Sequence, residues 1–142
     1  MKISSQFSVA VHILCLLSLD KTNLCTSDWI AGSVNTNPVV IRKILGKLKK
    51  SKLIDVKAGS GGAFLTKEID EITLYDVYKA VEVVKSGNLF NFHDSPNPLC
   101  IVGANIHEVL GNKLYEAERV MENNLKNSKI SDLVESIKFR AN

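Results

Sequence analysis

The segment NTNPVVIRKILGKLKK, residues 35–50, constrains the chain more than any other. Asn37 is a favoured N-cap, and Pro38 suits the first helical position, where a missing N–H costs nothing. A helix is therefore predicted from Pro38 to Lys50. At about 100° per residue, Ile41, Ile44, Leu45 and Leu48 fall on one side. Val39, Arg42, Lys43, Gly46 and Lys50 fall on the other, with Val40 and Lys47 on one flank. The rest of the chain must bury the first face and leave the second, basic one open.

Charge is concentrated there. Residues 38–57 hold seven Lys and Arg side chains against Asp55 alone, a net +6, whereas the whole chain carries +3. Everything else therefore sums to −3. A patch of one sign is a feature directed at a partner.

The flanking segments supply the missing core. Residues 4–19 read as a helix capped by Ser4 or Ser5, with Phe7, Val11, Leu14 and Cys15 at helical spacing. A short helix fits residues 27–34, capped by Thr26 or Ser27, with Trp29, Ile30 and Val34 turned inward. After the basic helix, Leu53, Ile54 and Val56 form a strand, AGSGG turns the chain, and Phe64 and Leu65 begin the returning strand. Thr73, with Asp76 three residues on, starts another helix, which Ser86–Gly87 ends. Residues 88–103 read as loop, with Pro96, Pro98 and Gly103. A long amphipathic helix runs from Ala104 to Asn127, and a last short one begins near Ser131.

Helix, helix, tight turn, basic helix and glycine-tipped hairpin follow one another as in a winged helix-turn-helix. The expected fold class is mainly α with a small β-hairpin wing. The expected organisation is a head over residues 1–87, a loop over 88–103 and a long helix with a C-terminal helix over 104–142.

In such a fold one face of the basic helix is anchored and the other enters the major groove of double-stranded DNA. The predicted reading surface comprises Thr36, Asn37, Val39, Val40, Arg42, Lys43 and Lys47, helped by Lys57, Ser60 and Gly61 of the wing. The lysines suit phosphates, which set affinity and register but not sequence choice. Val39 stands at the end of the helix that meets base edges, where its methyls can pack on a thymine methyl. The competing readings are a solvated basic face, and a winged helix that docks on an acidic protein.

Other classes are excluded more simply. With 142 residues, 45% of them hydrophobic, and a mean hydropathy of +0.05, the chain fits one globular domain with a real core. The apolar run from Val9 to Leu19 is broken by His12 and Ser18 and lacks a signal peptide's basic start and cleavage site. The expected compartment is the cytoplasm, with no membrane partner. There is no phosphate-binding glycine loop, nucleophile elbow or paired-histidine motif, so no catalytic residue and no enzyme activity is expected. Cys15, Cys25 and Cys100 form no CxxC pair, and neither a disulfide framework nor a structural metal site is expected.

The stretches MKISSQFSVAVHIL, TSDWIAGSVNTNPVVIRKILGKLKKSKLI and KAGSGGAFL resemble the Rrf-type regulators, the group containing IscR, NsrR and CymR, and above all its YwnA-like members from Gram-positive bacteria. The resemblance covers most of the chain. It implies a bacterial, homodimeric transcription factor, usually a repressor, with a long helix near the C-terminus as much of the dimer interface. Two heads would read the two half-sites of a palindromic operator. Ile106, Leu110, Leu114, Ala117, Met121 and Leu125 suit the dimer role, keeping a three-to-four spacing over roughly 33 Å of helix. Glu108, Lys113, Glu116 and Glu122 are expected on the opposite face, so that one side alone needs cover.

The chain departs from the family pattern twice. Many members carry an arginine just before the wing glycines; Ala58 stands here, preceded by Lys57, a less directional cation. Iron–sulfur members supply three cysteines and a further ligand around the loop before the dimer helix. Here that loop offers Cys100 alone, and one thiolate cannot hold a cluster that takes four protein ligands, so no cofactor is expected. Cys100 lies in the family's sensing region and is a candidate redox thiol, reacting with an oxidant or bridging to Cys25 of the partner subunit. The bland alternative is an inert, buried loop cysteine. Cys25, beside the cap of the second helix, is expected to be small and exposed, with a thiol the helix dipole can acidify. Cys15 belongs to the core. The even spacing of His93, Cys100 and His107 specifies no metal, and the histidines are expected to face solvent. The sequence names neither operator nor inducer.

Overall fold

The computed structural model describes residues 4–81 and 89–142. Helix α1 spans Gln6–Leu19, α2 Ser27–Val34 and α3 Pro38–Lys50; strands β1 (Ile54–Val56) and β2 (Ala63–Leu65) follow. A 3₁₀ turn at Ile69–Glu71 precedes α4 (Leu74–Val81), and α5 (Ile101–Lys126) and α6 (Ile130–Ala141) complete the chain. The predicted bounds of α2 and α3 are those observed. The expected end of α4 at Ser86–Gly87, and with it the boundary at residue 87, lies outside the described residues.

Local chemistry accounts for the starts. Thr26 Oγ1 accepts from the Trp29 amide at 3.2 Å, and Asn37 Oδ1 accepts from the Val39 amide at 2.8 Å. Thr73 and Asp76 form a reciprocal pair at α4: each backbone amide donates to the other's side chain, at 3.0 and 3.1 Å. The strands pair antiparallel, Ile54 opposite Leu65 and Val56 opposite Ala63.

Ile13 and Leu14 of α1, Ile30 of α2, Ile41, Ile44 and Leu48 of α3, and Val77 of α4 are all fully or almost fully buried in one cluster. Ile130 and Val134 of α6 belong to the same cluster, so the last helix returns to the head instead of extending away with α5. Two backbone bonds fix that return: Leu74 N–H donates to Ser128 O at 2.8 Å and Ile130 N–H to Ile72 O at 2.9 Å, around an antiparallel bridge of Thr73 with Lys129.

Two expectations about the C-terminal half change. Helix α5 begins at Ile101, so Ile101–Gly103, expected as loop, form its first turn. Gly103 makes that possible, because an added Cβ would run into the carbonyl oxygen of Asn97; the preceding turn closes with Cys100 N–H donating to that same oxygen at 3.2 Å. The second change concerns cover. Glu118 is the sole buried residue of α5, and Val102, Val109 and Val120 are each more than 60% exposed. Lys113 and Glu116, expected opposite the apolar stripe, sit between Val109 and Val120 and pair at 3.9 Å. Apolar surface thus spreads around more than one side of the helix, beyond the single stripe expected.

Candidate nucleic-acid interface

Asn35 ends α2 in the left-handed region (φ 64°), where asparagine is tolerated. Its amide and that of Thr36 both donate to Ala31 O, at 2.8 and 3.1 Å. This tight turn delivers Asn37 as cap and sets the entry angle of α3. Ile41, Ile44, Leu45 and Leu48 are buried as projected. On the outer face Val39 is 65% and Val40 40% exposed, with Asn37, Arg42, Lys43, Gly46 and Lys50 exposed beside them and Thr36 half-buried. Nothing lies within 4 Å of a Cβ built on Gly46, so no contact inside the chain requires glycine there.

Lys47 is placed differently from the other predicted groove residues. Its Nζ donates to Gln6 Oε1 at 2.7 Å and to Val81 O at 3.3 Å. The ammonium thus ties α3 to the start of α1 and the end of α4 and is turned away from the reading face. Helical projection had set it on the flank, the one hint in the sequence; Gln6 and Val81 are too distant in the chain to have been foreseen. Lys49 reaches Asp55 at 3.7 Å, with both side chains about half exposed, an ion pair worth at most about 1 kcal/mol.

The wing is built on backbone geometry. Gly59 (φ 85°) and Gly61 (φ 75°) take left-handed conformations that a side chain would strain. Lys57 N–H donates to Gly62 O at 2.9 Å and Gly61 N–H to Lys57 O at 3.1 Å. Lys57, Ser60 and Gly61 are exposed at the tip. At its base the Ala63 amide donates to Cys25 O at 2.9 Å, and an added Cβ on Gly62 would strike the Leu24 side chain. The hairpin is therefore fixed to the α1–α2 connection.

The three thiols differ sharply. Cys100 is exposed and stands at the N-cap position of α5, its side chain making no cap hydrogen bond; the nearby amides of Gly103 and then Val102 hold its thiol below the usual range. Cys25, expected to be small and exposed, is buried. Desolvation, and then the charge of Asp20, push its thiol up, because the wing base covers it. Cys15 is buried in the core, which raises its thiol as well.

His107 Nε2 lies 2.8 Å from His93 O, and the two rings meet edge to face at 5.2 Å. Of the expected dimer residues, Ile106, Leu114, Met121 and Leu125 are half-buried and Leu110 and Ala117 exposed. Val102 and Val109, each 62% exposed, and Val120, 69% exposed, are more open than Leu110 at 38%, and the sequence spacing did not single them out.

A family profile described as "Rrf2: Iron-dependent Transcriptional regulator" matches residues 3–136. The chain belongs to the Rrf2 family. It is 42% identical over 132 residues to YwnA of Bacillus subtilis (strain 168), a candidate HTH-type transcriptional regulator, covering 93% of this chain and 96% of that one. A crystal structure described as that of a candidate DNA-binding protein superposes with a TM-score of 0.72 at 37% identity, covering 91% of this chain and 98% of the other. The oxidised form of Staphylococcus aureus CymR superposes at 0.71 with 19% identity, over 95% and 97% of the two chains, which establishes the winged-helix fold. The Rrf2 chain is thus a transcriptional regulator by family.

Cys100 is the only thiol near the start of α5, Cys15 and Cys25 are buried in the head, and no group of three or more His, Cys, Asp or Glu side chains converges to hold a metal among the described residues. Among those residues no helix is long and apolar enough to cross a membrane.

Proposed function

We propose that this Rrf2 member binds a palindromic operator as a homodimer in the bacterial cytoplasm and represses transcription, with no catalytic step and no iron–sulfur cluster. Each head lays the N-terminal half of α3 in the major groove and sets the wing tip alongside. The observation that carries the reading is the division of α3. Its apolar face is fully buried, while Val39, Arg42, Lys43 and Lys50 stand open beside an exposed wing. Arg42, Lys43, Lys50 and Lys57 contact phosphates, and Val39 and Val40 meet base edges, which supply sequence choice.

The apolar surface left open on α5 supports dimerisation. Leu110 and Ala117, with Val102, Val109 and Val120 beside them, meet a second copy across α5, and Ile106, Leu114, Met121 and Leu125 border the contact. Cys100, exposed and acidified, is the thiol that answers oxidants; Cys25, being buried, is not its partner.

Mobility-shift titration against the DNA upstream of the protein's own coding region, with random duplex as competitor, tests the function. With these four phosphate contacts on each of two heads, the log–log salt slope should be about −7. A salt-indifferent curve, or equal affinity for the random duplex, refutes operator binding. Retention of an acidic protein in place of DNA would favour the protein-docking alternative.

A further inference from the structure

Helix α6 packs beside α1, and between the two runs an open groove of about 530 Å³. Its apolar wall is made by Val11, Cys15, Leu16 and Leu19 of α1 and by Leu133 and Ile137 of α6. On each helix these residues keep helical spacing, so two apolar stripes border one trough. Val11, Leu16 and Leu133 pack against the core yet are only partly buried, while Leu19 is 37% and Ile137 44% exposed. The volume is that of a small-molecule site, and no residue of α3 or of the wing takes part in the wall.

The polar residues of the wall set the class of guest. They are Ser8 and His12 of α1 and Ser136 and Arg140 of α6, with no carboxylate among them. Arg140 stands exposed in the last turn of α6, and no ion pair or hydrogen bond engages its side chain among the described residues. A guanidinium offers a carboxylate a bidentate fork, and the stem that carries it extends an apolar wall. Leu133 and Arg140 are about 10 Å apart along the axis of α6, the reach of an octyl chain. An apolar trough with an unpaired cation in its wall and no acidic group complements an amphipathic anion. We propose that this groove binds a medium-chain aliphatic carboxylate, its chain against the α1 and α6 stripes and its head group at Arg140.

The groove wall touches the reading head directly. His12 Nε2 stands 2.9 Å from Ser33 Oγ of α2, and Gln6, in the first turn of α1, accepts from Lys47 of α3. A guest held between α1 and α6 therefore bears on the two helices that orient the recognition surface. This coupling rests on the proposed DNA binding; the site itself does not.

Sodium octanoate and its neutral counterpart octanamide are the probes, titrated below micellar concentration into the full chain while methyl ¹H–¹³C resonances are followed. Octanoate is expected to saturate and to shift the Val11, Leu16, Leu19, Leu133 and Ile137 signals, at least about tenfold more tightly than octanamide. The preference should vanish in Arg140→Gln, and both probes should lose binding in Ser136→Phe, which places a ring in the trough. Comparing the two probes on the unmodified protein keeps the test independent of whether either variant folds. Equal affinity for the two probes, or no saturable shift with octanoate, overturns the site. Shifts of these methyls that follow protein concentration with no probe present mean that a second copy covers the groove, and overturn it too. Octanoate that binds without altering operator affinity overturns the coupling alone. Failure of the protein to bind operator at all would refute the proposed function and leave the methyl shifts to decide the site.

Discussion

Lys47 and Lys43 lie four residues apart on the same basic helix, yet the structure gives them different work, and paired substitutions separate the two. Lys47 donates two hydrogen bonds from a half-buried ammonium, to Gln6 Oε1 and Val81 O. Bonds to charged groups contribute roughly 1.5–3 kcal/mol each when well shielded. Here partial exposure and the length of the second, 3.3 Å, reduce their sum to about 2 kcal/mol. Lys47→Met keeps the aliphatic stem and removes the donors, so it isolates that contribution. For a chain of this size a loss of about 2 kcal/mol lowers Tm by roughly 4–8 °C. The salt slope of operator binding should stay unchanged, since no phosphate contact is lost. Lys43→Met should do the reverse, leaving Tm within about 2 °C, because exposed substitutions away from special features rarely exceed 0.5 kcal/mol. It should also flatten the slope by about 0.9 per contact, or about 1.8 for two heads. Thermal unfolding and salt-titrated mobility shifts on the same preparations provide both readouts. A Lys47→Met protein of unchanged Tm and flattened slope would refute the assignment.

Four further outcomes are expected. Val39→Ala should leave stability within about 0.5 kcal/mol and cost about 1 kcal/mol of operator preference at one A·T position, read by competition with single-base operator variants; unchanged preference removes the valine from base reading. Gly46→Ala should stabilise the free protein by up to about 1 kcal/mol, measured by urea unfolding, because its Cβ meets nothing, and weakened operator binding in that same variant would place a phosphate against this turn. Alkylation of Cys100 by iodoacetamide should rise and reach its plateau at lower pH than for an unperturbed thiol, since a thiol held down by the Gly103 and Val102 amides is thiolate over a wider range; Cys15 and Cys25 should react only on unfolding, and mass spectrometry of the digested protein distinguishes the three. Gly103→Ala should cost about 1–3 kcal/mol, because the obstacle is Asn97 backbone and not a movable side-chain end, and it should slow Cys100 alkylation towards the ordinary rate by shifting the Gly103 and Val102 amides away from the thiol.

The head was largely legible because its signals are local. Asn37–Pro38, the Thr73–Asp76 pair and the wing glycines each act within a few residues, and the period of α3 separates its faces without reference to any neighbour. Wherever the outcome depended on contacts between distant segments, the sequence was silent. Lys47 looked like the other lysines because its partners are Gln6 and Val81. Cys25 looked exposed because the wing strand that covers it comes some forty residues later. Gly103 was read as loop although its neighbour Asn97 lies only six residues back, because the folding of that turn, and not any residue type in it, brings the two backbones together. The α5 stripe was drawn too narrowly for a related reason: an apolar spacing tells which residues align, not which of them their own chain leaves open.

The bridge between Thr73 and Lys129 gives α5 a mechanical character. A beam held at one end swings when pushed at the other, and the push is lost as motion. The far end of α5 is not loose, because the chain is stitched back beside the start of α4 by Leu74–Ser128 and Ile130–Ile72 bonds, while its first turn is wedged against Asn97. A helix stitched at that end passes a push on to the elements it is stitched to. A second copy gripping α5 in the proposed dimer therefore works against the roots of α4 and α6, two helices that share the core with α3.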